Sequence, residues 1–245
     1  MSLPRLRLEN CSFDAESKLW HISHQEAHHL VKVRRLYTGS LVEGLLSEKS
    51  DKAVGRKILL KLECHGEDVF AREIKSEEVE DETELVLLLA LLKTDQWEDS
   101  LRFAAQTGVT KIIPLIAERS VPKILPGELD KKMSRWGKIL DEATKQSSAI
   151  VPPKLNEPIK FCNFDFDSLP SQRLAAILSD DTVSLKNLEL QESVAIAIGP
   201  EGDWSPTEAQ KLLQKGFTPI TLGKRILKAS TAVAVACGAV SILRE

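Results

Sequence analysis

The chain is poor in the groups that would announce the commonest site chemistries. Its four cysteines, Cys11, Cys64, Cys162 and Cys237, are scattered with no C-x-x-C pair, which fits neither a disulfide framework nor a zinc knuckle and points to a reducing cytoplasm. No histidine follows His65 and no G-x-S-x-G occurs, so Ser-His-Asp hydrolysis is excluded from the C-terminal two thirds. Neither G-x-x-x-x-G-K-[ST] nor G-x-G-x-x-G is present, leaving nucleoside-triphosphate and dinucleotide cradles without support. Long apolar runs are also missing. Ala229 to Leu243 comes nearest to a membrane span, but it is short and interrupted by Ser230, Thr231, Gly238 and Ser241. With no basic start leading into an apolar run and a cleavage site, a soluble, cytoplasmic chain is expected.

What is present is a chain of 245 residues, 42% of them hydrophobic, enough for a real core. Thirty-three basic residues face thirty-six acidic ones, so no global excess argues for nucleic acid. The distribution says more: residues 76–83, SEEVEDET, carry five acids and no base, and mark a boundary. Before it, Arg5 to Leu8, Lys18 to Ile22, Leu41 to Leu46, Ile58 to His65 and Val69 to Ile74 have β character between turn residues, predicting a small, mostly antiparallel barrel. One helix should interrupt them, opened by the capping pair Ser23 and Glu26 and closed at Gly39.

After the boundary, strands and helices alternate. Leu85 to Leu92 suits a strand buried on both faces. A helix over Asp95 to Thr107, a strand over Val109 to Ala117 and a helix over Leu129 to Ser147 follow. Strands at Leu174 to Leu178, Val194 to Ile198 and Phe217 to Leu222, with helices at Pro206 to Lys215 and Ser230 to Leu243, complete a parallel α/β domain.

Two glycine-anchored segments fall just past two of those strands: IGPEGDWS, Ile198 to Ser205, and LGKRILKASTA, Leu222 to Ala232. Open α/β sheets bind ligands at such strand ends. Gly199 and Gly202 permit close backbone approach, and Ser205, Pro206 and Glu208 spell a helix start. The second segment sets Lys224, Arg225 and Lys228 among Leu222, Ile226 and Leu227, an alternation that a solvated surface does not require. AERSVPK, Ala117 to Lys123, places Glu118, Arg119, Ser120 and Lys123 on the same edge of the sheet. In the N-terminal part, four of five histidines, with Lys32, Arg34 and Arg35, fall within fifteen residues. His24 and His28 stand one turn apart, but HQEAH is not the H-E-x-x-H of zinc hydrolases. Contacts to RNA phosphates and unpaired bases suit this group better, with a solvated polar helix as the alternative.

Taken in order, HHLVKVRR at His28 to Arg35, AERSV, IGPEGDWS and LGKRILKASTA resemble the SPOUT-class methyltransferases that methylate N3 of a uridine in bacterial 16S ribosomal RNA. The resemblance spans about two hundred residues and both parts of the chain. It implies a PUA-like RNA-binding β-barrel over residues 1–75, an acidic linker over 76–83, and an α/β methyltransferase domain with a deep trefoil knot over 84–245. It also implies a homodimer, S-adenosylmethionine as methyl donor, no resident metal, and the RNA of the small ribosomal subunit as partner.

By the same resemblance, Leu178, Ile198, Gly199, Pro200, Glu201, Gly202, Leu222, Gly223, Ile226, Leu227 and Thr231 would contact the cofactor. Arg225 and Lys228 would favour the uridine anion, Arg119 would stand nearby, and Glu201 would accept a proton or orient the cofactor. Arg5, Arg7, His28, His29, Lys32 and Arg35 would meet RNA. The chain departs from the family pattern at Lys228 for an arginine, Ser230 for a glutamate, Asp203 for a second glycine, Gln106 within FAAQTG, and Ala149 for an arginine. These departures keep two other expectations open: methylation of another RNA or atom, and an RNA-binding or ribosome-assembly protein without catalysis.

Overall fold

The computed structural model describes residues 3–47, 54–66, 68–80, 83–125, 127–147, 149–179 and 181–244. The chain divides into two compact units, Met1–Asp81 and Glu82–Glu245.

The first unit is built on β1 (Arg5–Arg7), β2 (Ser12–Asp14), β3 (Leu19–His21), α1 (His24–His28), β4 (Leu41–Ser47), β5 (Val54–His65) and β6 (Asp68–Glu80). The strands form one sheet in the order β1-β4-β5-β6-β3-β2, with only β1 and β4 parallel. Alternation sends Leu6, Trp20, Ile58, Leu60, Leu62 and Ala71 into a core closed by Ala27 and Leu30. The expected closed barrel is not formed among the described residues, because β1 and β2 remain unpaired edges of an open sheet.

Two further expectations are corrected here. Residues 76–80 of the acidic run are strand, continuing the ladder opposite residues 54–58 of β5, with Glu77 paired to Lys75. The histidine-rich helix ends well before Gly39. After α1 it widens into a π-helical turn, His29–Val33, and Arg35 at φ 57 breaks it. Ser23 does cap it, its side chain accepting from the Glu26 N–H.

The second unit contains β7 (Glu84–Ala90), α2 (Thr94–Gln106), β8 (Lys111–Ile116), α3 (Leu129–Ser147), β9 (Lys154–Leu155), β10 (Ile159–Lys160), β11 (Gln172–Ala176), β12 (Val183–Ser184), β13 (Ser193–Ile198), α4 (Pro206–Gln214), β14 (Phe217–Thr221) and α5 (Ala229–Arg244). All pairings are parallel, in the order β10-β8-β7-β13-β11-β14-β12, with β9 also on β8.

β7 explains the layering. Leu85, Leu87 and Leu89 face a cluster with Trp97 of α2, Trp136 of α3 and Val233 of α5, while Val86, Leu88 and Ala90 face Phe161, Phe166, Trp204 and Leu212 of α4. A period of two buried on both sides makes a continuous apolar run. β11 lies between β13 and β14, both of which come later in the chain. The C-terminal ends of these three strands therefore open side by side.

Candidate functional site

A cavity of about 920 Å³ occupies that edge. Its walls are the loop after β11 (Ala176 to Ser179, with Thr182), the loop after β13 (Ile198, and Pro200 to Asp203), the loop from β14 into α5 (Ile220 to Ala229), Ala232 of α5 and Gln96 of α2. Ile198, Ile220, Leu222 and Leu227 supply an apolar lining that continues the core beneath it. Leu178 and Ile226 are exposed rim residues, Ile226 at 81%.

Local chemistry shapes the β13 loop. The Gly199 position lies so close to Trp204 that an added Cβ would meet the indole ring at 3.2 to 3.3 Å, tighter than side chains normally allow. Asp203 stands at φ 59, a left-handed conformation that Asp tolerates better than most residues, and its N–H closes a turn onto the Pro200 carbonyl at 2.9 Å. Beyond it, Ser205 and Glu208 form a reciprocal capping box on α4. Glu208 also accepts from the Glu118 N–H at 2.9 Å, tying the end of β8 to the same corner.

The charged residues divide by role. The Glu201 carboxylate accepts from the Lys93 backbone N–H at 3.0 Å and from the Gln96 amide at 3.4 Å, so it latches the β13 loop to the start of α2. Arg119 does not line the cavity. Its guanidinium donates to the Gly202 carbonyl at 2.8 Å and the Trp204 carbonyl at 3.4 Å, bracing the loop from behind. Lys224, Arg225 and Lys228 do line it, with no acidic partner recorded among the described residues. Gly223, at φ 113, makes the turn that presents them, its N–H donating to the Thr221 hydroxyl at 3.2 Å.

Of the residues expected around a cofactor, Leu178, Ile198, Pro200, Glu201, Gly202, Leu222, Gly223, Ile226 and Leu227 line the cavity. Gly199 lies against Trp204 instead, and Thr231 is exposed on α5 outside the lining. Sequence reasoning passed over Gln96, Ala176, Ile177, Ser179 and Thr182; the strand-end rule that found the other loops applies equally past β7 and β11.

In the first unit, His28, His29, Lys32 and Arg35 are exposed. Arg5 and Arg7 are engaged within the sheet: Arg5 pairs with Glu43, and Arg7 is only 7% exposed and pairs with Glu9. Both lie on β1, whose inner face forms the core. Among the described residues no three His, Cys, Asp or Glu side chains gather as a metal site, and no helix is long and apolar enough to cross a membrane.

Comparison with known proteins places these features. The family model of the RNA methyltransferase domain matches residues 79–241. The chain is 32% identical over 226 residues to the ribosomal RNA small subunit methyltransferase E of Synechocystis, covering 90% of this chain and 72% of that protein. Its fold is similar to that of a Legionella pneumophila protein solved with the bound cofactor SAM, with a TM-score of 0.82, 25% identity, and coverage of 100% of this chain and 98% of the other. The ribosomal RNA small subunit methyltransferase E of Neisseria gonorrhoeae, bound to S-adenosyl methionine, shares the fold with a TM-score of 0.80 at 24% identity, over 98% of both chains.

Proposed function

The chain belongs to the RNA methyltransferase domain family, and we propose that it methylates N3 of a uridine in 16S ribosomal RNA with S-adenosylmethionine as donor. The observation that carries this reading is the cavity at the ends of β13, β11 and β14, where apolar walls, loop backbone groups and both signs of charge converge. The residues present suit the cofactor. Ile198, Ile220, Leu222 and Leu227 offer an apolar bed for adenine, and Glu201 and Asp203 bring negative charge to a ligand with two cationic centres.

When bound, the cofactor supplies an electrophilic methyl group. The chain supplies alignment and handles the N3 proton. Arg225 and Lys228 would stabilise negative charge developing on the uracil, a role supported by their lining the cavity without a carboxylate partner among the described residues. Glu201, latched through Oε1, keeps Oε2 to accept the N3 proton, and Arg119 acts as a brace.

The finer architecture belongs to the same reading. The loops after β13 and β14 would be the crossing loops of a trefoil knot, for which the insertion of β11 between those strands is the supporting feature. A PUA-like role for the first unit rests on the resemblance of HHLVKVRR. A homodimer is supported by apolar residues left exposed on α5, among them Val235, Ile242 and Leu243.

Ribosomal RNA from cells lacking this chain, incubated with the pure protein and methyl-labelled cofactor, tests the proposal. Mass spectrometry should find the label in 3-methyluridine. Label in another nucleoside would favour a different target atom, and cofactor binding without transfer would favour a non-catalytic assembly role.

A further inference from the structure

The first unit carries a ring array that the cavity chemistry does not use. On the solvent face of the sheet, His21 of β3 stacks on Phe70 of β6 with ring centroids 5.0 Å apart and planes 25° from parallel. His65, at the end of β5, meets the same Phe70 edge-on at 6.0 Å. The His21 side chain is 54% exposed, with the Asp68 carboxylate 3.9 Å from its Nε2. The core-facing partners in the same strands are Trp20, Val69 and Ala71, so the array is not part of the packing.

A fourth ring belongs to the same end of the sheet. Tyr37, the chain's only tyrosine, is 74% exposed. Its backbone is rigidly held, its N–H donating to the Ser40 hydroxyl at 3.1 Å and its carbonyl accepting from the Ser40 N–H at 3.0 Å. Thr38, next in the chain, accepts from the Cys64 N–H at 2.8 Å, which anchors the Tyr37 turn to the end of β5. Lys32, Arg34 and Arg35 precede this turn, all exposed and with no acidic partner recorded among the described residues. Exposed rings held on a rigid frame and interleaved with cations match the needs of unpaired nucleotides, which stack their bases and require phosphate neutralisation.

We propose that this end of the N-terminal sheet binds single-stranded RNA, with bases stacking on Tyr37 and on the His21–Phe70 pair and phosphates met by Lys32 and Arg34. The assignment rests on the RNA-methyltransferase reading and adds the form of RNA that is held. A duplex hides its base faces, so the surface selects loops and unpaired ends.

Binding of the full-length protein to a labelled single-stranded RNA of mixed sequence, and to the same sequence as a duplex, is measured by fluorescence anisotropy across a salt series. The wild type should prefer the single strand. Tyr37→Ala and His21→Ala should each weaken it about 5- to 100-fold with the salt slope unchanged, while Tyr37→Phe keeps wild-type affinity. Lys32→Gln and Arg34→Gln should instead lower the slope by about one each. Equal binding of duplex, or wild-type affinity in both ring variants, overturns the platform alone. Failure of the wild type to bind either RNA overturns the RNA reading and the platform with it.

Discussion

The Asp203 carboxylate accepts a hydrogen bond from the Leu178 backbone N–H at 3.3 Å, joining the loop after β13 to the loop after β11 across the mouth of the cavity. The resemblance expects a glycine where Asp203 stands, and a φ of 59 suits either residue. Glycine reaches that conformation freely; aspartate tolerates it and adds a clasp.

Asp203→Gly should remove the clasp while relieving the backbone. Stability is expected to stay within about 1 kcal/mol of the wild type, because a lost hydrogen bond offsets a gain of similar size. Cofactor affinity should fall about 3- to 10-fold as the β11 loop loosens, or roughly 1 kcal/mol. Asp203→Asn keeps an acceptor and tolerates the same φ, so it should bind nearly as the wild type does. Calorimetry with S-adenosylmethionine, paired with thermal unfolding, checks both variants.

Arg119→Ala should behave as the loss of a brace. Two carbonyls lose charge-assisted donors, at a cost of about 1–3 kcal/mol in stability, and the cofactor dissociation constant rises. At saturating cofactor the turnover rate should remain within about threefold of the wild type, since 1.4 kcal/mol already makes a factor of ten. A loss confined to turnover would return Arg119 to the chemistry.

Arg225→Ala and Lys228→Ala should do the opposite. Neither side chain has an acidic partner among the described residues, so removal leaves stability little changed. Turnover is expected to drop about 10- to 100-fold, the scale for removing one group that stabilises developing charge. Cofactor affinity should hold. The defect should shrink at alkaline pH, where uracil N3 ionises with less assistance, and single-turnover rates across pH read this directly.

Burial pushes the Cys237 thiol up to about 12 from its ordinary value near 9, with Arg244 opposing weakly. The folded chain therefore keeps this proton after the unfolded chain has released it. That contribution to stability is complete below about pH 9 and is lost as pH rises towards 12. Denaturant unfolding between pH 9 and 11 should show the wild type losing up to about 1.4 kcal/mol per pH unit more than Cys237→Ala. Parallel pH profiles for the two proteins would refute the assignment.

Periodicity alone marked out the second unit well. The predicted helix bounds at Leu129 and Ser147 coincide with α3, and the apolar run from Leu85 became a strand buried on both faces that ends at Ala90, two residues short of the expected Leu92, because period and run length need no knowledge of partners. The first unit was less legible. Three-residue strands such as β2 carry too few residues to show a period, and the open sheet depends on which edges find partners. The acidic run entered β6 because residues 54–58 of β5 offered it a ladder, a pairing that local pattern cannot display.

The site divides along the same line. Residue type and strand-end position are properties of the chain, and they sufficed to single out the loops around Gly199, Gly202 and Gly223 and the cations Arg225 and Lys228. What each charged group does depends on which backbone atoms the fold brings within hydrogen-bond reach. Tertiary structure spent Glu201 on Lys93, Arg119 on Gly202, Arg5 on Glu43 and Asp203 on Leu178, and left Arg225 and Lys228 at the cavity. It also tied the Tyr37 turn to the end of β5 through the hydrogen bond between Thr38 and Cys64, residues 26 apart, a proximity that only the folded sheet creates.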